Sequence, residues 1–191
     1  MSKTRLEAFS DAVIAIALTI MVLELRVPHG TDWESLRPLV PVFLAYVMSF
    51  VNLGIYWNNH HHLLHATSRI NGNILWANLH LLFWLSLIPF TTGWMSENQF
   101  ASLPTAIYGA VLLLAAIAYY ILQSAIIAVQ GPNSRLAEAV GKDLKGKISP
   151  LLYVAAIPLS FFSRWIAIGI YVLVELIWLV PDRRIEARLA E

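Results

Sequence analysis

Residues 12–23, AVIAIALTIMVL, carry no charge and follow RLEAFSD without a break. A soluble surface helix needs a polar face, and this stretch has none. A helix of about 20 mostly apolar residues crosses the hydrocarbon core of a bilayer, and five further apolar segments follow it. Spans are expected at 6–27, 37–57, 74–95, 104–129, 149–163 and 165–181. The second should continue as a polar helix through the histidines to residue 66, and Pro89 should bend the third. The last two are short, are separated only by Ser163 and Arg164, and read as a tight helical hairpin. Composition agrees: 58% of the residues are hydrophobic and 13% charged, against roughly 45–50% and about 25% in soluble domains. The expected fold class is an all-α membrane protein, a single domain over residues 1–191 with six transmembrane helices in a lipid bilayer.

Lysine and arginine placement sets the orientation. With the N-terminus inside, the inner segments hold Lys3, Arg5, Arg69, Arg135, Lys142, Lys145, Lys147, Arg183, Arg184 and Arg188, and the outer ones only Arg26, Arg37 and Arg164. Both termini are therefore expected in the cytoplasm. The first apolar run is too long for a signal peptide and has no small-residue cleavage site behind it. The one long polar connection, 130–148, should lie at the inner surface as a short amphipathic or irregular piece.

Several functions lack their residues. There is no cysteine, which excludes disulfides and thiolate metal sites, and a net charge of +1 gives nucleic acid no support. Neither a GxSxG elbow nor a GxxxxGK[ST] phosphate loop occurs. His60, His61, His62 and His65 form one cluster without an HExxH pairing, and few carboxylates could complete a coordination shell. Neither an enzyme nor a metal or cofactor is expected.

On a helical wheel at 100° per residue, Ile16, Thr19 and Leu23 share one stripe of the first span with Ala12, Ile20 and Arg5. Ser10 lies about 120° and Asp11 about 140° from Ile16. The wheel leaves two possibilities for that stripe: lipid or bundle core on one hand, a pore wall on the other. Asp11 is an ionisable residue at the start of a span and needs partners. An antiparallel second helix brings YWNNHHHLLH, residues 56–65, to the same depth, and the third starts there with Trp76, Asn78 and His80. Trp57, His60, Asn78 and His61 are the candidate donors to Ser10 and Asp11. Glu175 is the other embedded acid, expected to pair with Arg5 or a histidine or to snorkel to the interface.

RLEAFSD leading into AVIAIALTIMVLEL resembles the RxxxFSD signature of the transmembrane protein 175 family, in particular its bacterial members. WNNH at 57–60 resembles the WxxH of that family's second helix, and ANLHLLFWLSLIPF at 77–90 is similar to its asparagine-plus-LPF third helix. The resemblance covers roughly 5–90; the later helices match only in number and length. It implies a potassium-permeable channel in the plasma (inner) membrane of a bacterium, a homotetramer whose first helices line a central pore for monovalent cations. It further implies Ile16 as the constriction, Thr19 and Leu23 as further pore layers, and a structural network of Arg5, Phe9, Ser10 and Asp11 with Trp57, His60 and Asn78. Without a TVGYG-like carbonyl filter, weak selectivity for potassium over sodium is expected. The alternative is a proton- or ion-coupled carrier using Asp11, the histidine cluster and Glu175.

Overall fold

The computed structural model describes residues 2–131, 134–141 and 143–179, and every regular element among them is helical. Helix α1 is Lys3–Leu23. It begins earlier than hydropathy suggests because the Ser2 side chain accepts from the Arg5 amide at 3.4 Å, an N-cap that polar residues can extend. Two single 3-10 turns, Trp33–Ser35 and Arg37–Leu39, lead into α2, Val40–His65. Helix α3, Gly72–Ser86, and α4, Ile88–Glu97, form one span broken at Leu87. Pro89 lies in the first turn of α4, where its missing N–H costs nothing, and the helical ladder is interrupted there for one residue, Leu87, whose backbone stays right-handed helical. Helix α5 is Ser102–Gln130. Within the 130–148 connection, α6 is one short helix, Arg135–Val140, capped by Ser134. Helix α7, Leu144–Phe162, starts about a turn ahead of its apolar run because Asp143 caps it; α8 is Arg164–Leu179.

Among the described residues, four helical segments are long and apolar enough to cross a membrane: α1, α2 with its leading turns, α3–α4 together, and α5. Helix α8 has 16 described residues. The far end of its expected span, 180–181, lies outside the described residues, as do Lys142, Arg183, Arg184 and Arg188. The α7–α8 hairpin turns at Ser163 as expected. Its tip meets the end of α4, where Arg164 donates to the Gln99 carbonyl at 3.1 Å. Ser160 reaches the Ser102 carbonyl at 3.2 Å at the same end. Arg26 pairs with Glu97 at 2.7 Å there as well, so two of the three arginines assigned to the outer side, Arg26 and Arg164, gather at one end of the bundle. At the opposite end Lys3 donates to the His65 carbonyl at 2.9 Å. Exposed Trp33 and Trp165 at the first end and Trp76 at the second stand where amphipathic rings favour the lipid headgroups.

Helix α5 is the hub, packed against α3 on one side and α7 on the other. Its approach to α8 requires Gly109: a Cβ there would overlap the phenol of Tyr171. Helix α1 stands at the edge, held by α2, α3 and α4 through a stripe of Leu6, Ser10, Ile14, Ala17 and Met21.

Candidate functional site

The stripe of α1 opposite its buried face is uncovered in the isolated subunit. Ile16 is 56% and Leu23 78% exposed, and Ala12, Thr19 and Ile20 are exposed with them. Thr19 donates its hydroxyl proton to the Ile16 carbonyl at 2.9 Å. With that donor spent inside the helix, the oxygen offers only lone pairs to the surroundings.

Behind the stripe, three helices are joined by a hydrogen-bond chain of one polarity. The Ser10 hydroxyl donates to the Leu6 carbonyl at 2.8 Å and accepts from the Asn78 amide at 2.9 Å. The Asn78 oxygen then faces His60 Nε2 at 2.7 Å. Because the Asn78 amide nitrogen is committed to Ser10, its oxygen is the acceptor, and His60 donates from Nε2. Ser10, His60 and Asn78 are all buried, so each link is made away from water and costs most when broken. Asp11 sits at the rim and accepts from Trp57 Nε1 at 3.0 Å. His61 stacks on the Trp57 ring, with centroids 6.3 Å apart.

The structure therefore brings Ser10, Asp11, Trp57, His60 and Asn78 together across α1, α2 and α3. His60 reaches Ser10 only through Asn78, and His61 backs Trp57 rather than bonding the acid. Arg5 and Phe9 stand apart from this chain, exposed on the same side of α1 as Ile16. Among the described residues no group of three His, Asp or Glu side chains is placed to hold a metal.

Glu175 is where the residue-level expectation needs correcting. It pairs with neither Arg5 nor a histidine among the described contacts and does not snorkel. It is 5% exposed and interacts with Asn52 of α2. Asn52 is a site residue the sequence did not single out; an amide inside a largely apolar span was the available signal. A second polar link absent from the expectations joins Ser49 to Thr92 at 2.7 Å and to Tyr108 at 3.0 Å, tying α2 to α4 and α5. Asp11 and His60 lie on the α1–α3 side, whereas Glu175 opens on a cavity between α2, α5, α7 and α8, so the groups of a carrier relay are divided between two regions.

The family model described as the endosomal/lysosomal potassium channel TMEM175 matches residues 5–89, the part that holds the α1–α3 hydrogen-bond chain. A protein named potassium channel from Chryseobacterium sp. (strain P1-3) is 58% identical over 191 residues, all of both chains. Another of that name from Chamaesiphon minutus is 31% identical over 87% of this chain and 88% of its own. The fold matches the crystal structure of a lysosomal potassium-selective channel TMEM175 homologue from Chamaesiphon minutus. There the TM-score is 0.81 and the identity 29%, with 94% of this chain and 97% of that one covered. With a full-length relative at this identity, a shared fold and a matched motif region, the chain belongs to the TMEM175 family, a family of membrane ion channels rather than enzymes.

Proposed function

We propose that this chain is the subunit of a potassium-permeable cation channel, a homotetramer in which four copies of α1 surround the ion path. Each subunit is one domain over 1–191 and contributes six spans, with α3–α4 counted as one and α7 and α8 as the last two. The assembly sits in the plasma (inner) membrane of a bacterium with both termini cytoplasmic, as the lysine and arginine bias favours. The observation that carries this reading is the Ile16–Thr19–Leu23 stripe, left uncovered on a helix whose other face is fixed by packing and hydrogen bonds. The relatives named as potassium channels support the choice of ion.

Four Ile16 side chains facing one another make a narrow apolar ring, which closes by expelling water. One turn along, four Thr19 oxygens with their protons turned back into the helix present acceptors that replace part of a cation's hydration. Side-chain oxygens on a flexible ring hold no fixed cage, so potassium is preferred over sodium by less than the factor of ~10 that 1.4 kcal/mol of differential binding would give. The hydrogen-bond chain from Ser10 to His60 keeps α1 in register with α2 and α3 while the ring dilates. No resident cofactor enters this mechanism.

Ion flux from liposomes containing the purified protein, with unitary currents in planar bilayers, tests it. Expected are discrete current steps, potassium flux modestly above sodium flux, and no requirement for a proton gradient. Saturable flux coupled to pH and lacking unitary steps would replace the channel with the carrier.

A further inference from the structure

Away from α1, each subunit carries a partly open cavity of about 50 Å³ between α2, α5, α7 and α8. A water-sized sphere needs about 10–15 Å³ of such space, so the volume suits a small water cluster or a partly hydrated ion. Glu175 lines it from α8 and Asn52 from α2; they are 5% and 4% exposed. Among the described residues, each carries an oxygen without a partner, Oε1 of Glu175 and Oδ1 of Asn52. Asn52 also interacts with the hydroxyl of Tyr153, on α7. Asp143 lies on the wall nearest the α6–α7 junction. Its carboxylate is held there by the Gly146 amide at 3.0 Å and by Gln123 at 3.3 Å. No Lys, Arg or His lines the space among the described residues.

A buried carboxylate without a countercharge is costly, and proteins relieve that cost by pairing it, protonating it or giving it a metal ion. Here the two unsatisfied atoms are both acceptors, so another acceptor cannot serve them. A proton would cap the Glu175 oxygen, yet it would leave the cavity beside it unused. A monovalent cation satisfies both oxygens at once, draws a further oxygen ligand from Tyr153 on the same wall, and offsets the charge. Hard cations take such oxygen sets readily. We propose that Glu175 and Asn52 form a binding site for one sodium- or potassium-sized cation inside each subunit, separate from the conduction path. Because it bridges α2 and α8, an ion there would brace the hairpin against the rest of the subunit.

Thermal unfolding of the purified full-length protein in sodium, potassium or N-methylglucamine chloride, at equal ionic strength and pH, provides the test. At ten times the dissociation constant, sodium or potassium should raise the native Tm by about 3–6 °C over N-methylglucamine. Glu175→Gln, which keeps the shape and removes the charge, should lose most of that increment, whereas Thr19→Ala in α1 should retain it. Rubidium-soaked crystals of the native protein give a readout that needs no variant to fold: one anomalous peak per subunit between Glu175 and Asn52 is expected. A Tm that ignores the cation and instead steps with pH would overturn the site and make Glu175 a protonated acid. A cavity without rubidium density would overturn it as well.

Discussion

Ile16→Asn should raise single-channel conductance or open probability by about tenfold, the factor that ~1.4 kcal/mol off a barrier provides. An apolar ring opposes ions by expelling water, and four amides at that level would hold water in place. The same substitution separates the two environments open to an exposed aliphatic on α1. If Ile16 faced lipid, an asparagine there would place an amide in hydrocarbon, where it finds few partners. It would then lower the stability of the protein and leave its currents unchanged. Recordings from reconstituted protein, read beside its thermal unfolding, tell these apart. Unaltered currents with normal assembly would remove Ile16 as the constriction.

Asn78→Leu should be the most damaging substitution in the hydrogen-bond chain. Leucine has a similar volume, so the loss is chemical: the His60 N–H is stranded at a buried position, and Ser10 loses its donor. Polar contacts between membrane helices average only about 0.6 kcal/mol, because the unpaired groups often find other partners. Buried groups with no alternative cost about 1–3 kcal/mol, and the His60 site belongs to that class. A fall in Tm of about 3–10 °C is expected. Ser10→Ala should follow, since it strands the Asn78 amide. Asp11→Ala should cost the subunit least, because the acid is exposed at the rim and gives up one bond to Trp57. Selectivity should survive in all three. A larger loss of stability from Asp11→Ala than from Asn78→Leu would mean that the acid, rather than the buried chain, holds α1 in place.

The two halves of the molecule differed in how well they could be foreseen. The α1–α3 contacts were legible because depth alone constrains them. Antiparallel helices of bilayer length put residues 56–65 and 74–80 beside residues 10 and 11, and few polar side chains were available there. Helix edges were less legible where capping outruns hydropathy. Asp143 starts α7 ahead of its apolar run and carries Lys145 and Lys147 into the helix, residues that a hydropathy scan assigns to the loop. The environment of Glu175 was not legible at all. Its partner comes from α2, and adjacency of α2 to α8 is a matter of how the bundle closes, on which the periodicity of either helix is silent. The wheel did isolate the Ile16 stripe, but whether an uncovered stripe meets lipid or ions is decided by other copies of the chain.

That last point is the one on which the mechanism depends, and the absence of cysteine from the sequence makes it directly measurable. Thr19→Cys channels reconstituted in bilayers should lose most of their current when a charged methanethiosulfonate reagent is added, because the thiol lies in the water-filled ion path. Leu151→Cys, on the exposed face of α7, should be indifferent to the same reagent. Currents that persist at modified Thr19→Cys and are blocked at modified Leu151→Cys would place α1 outside the pore and contradict the account.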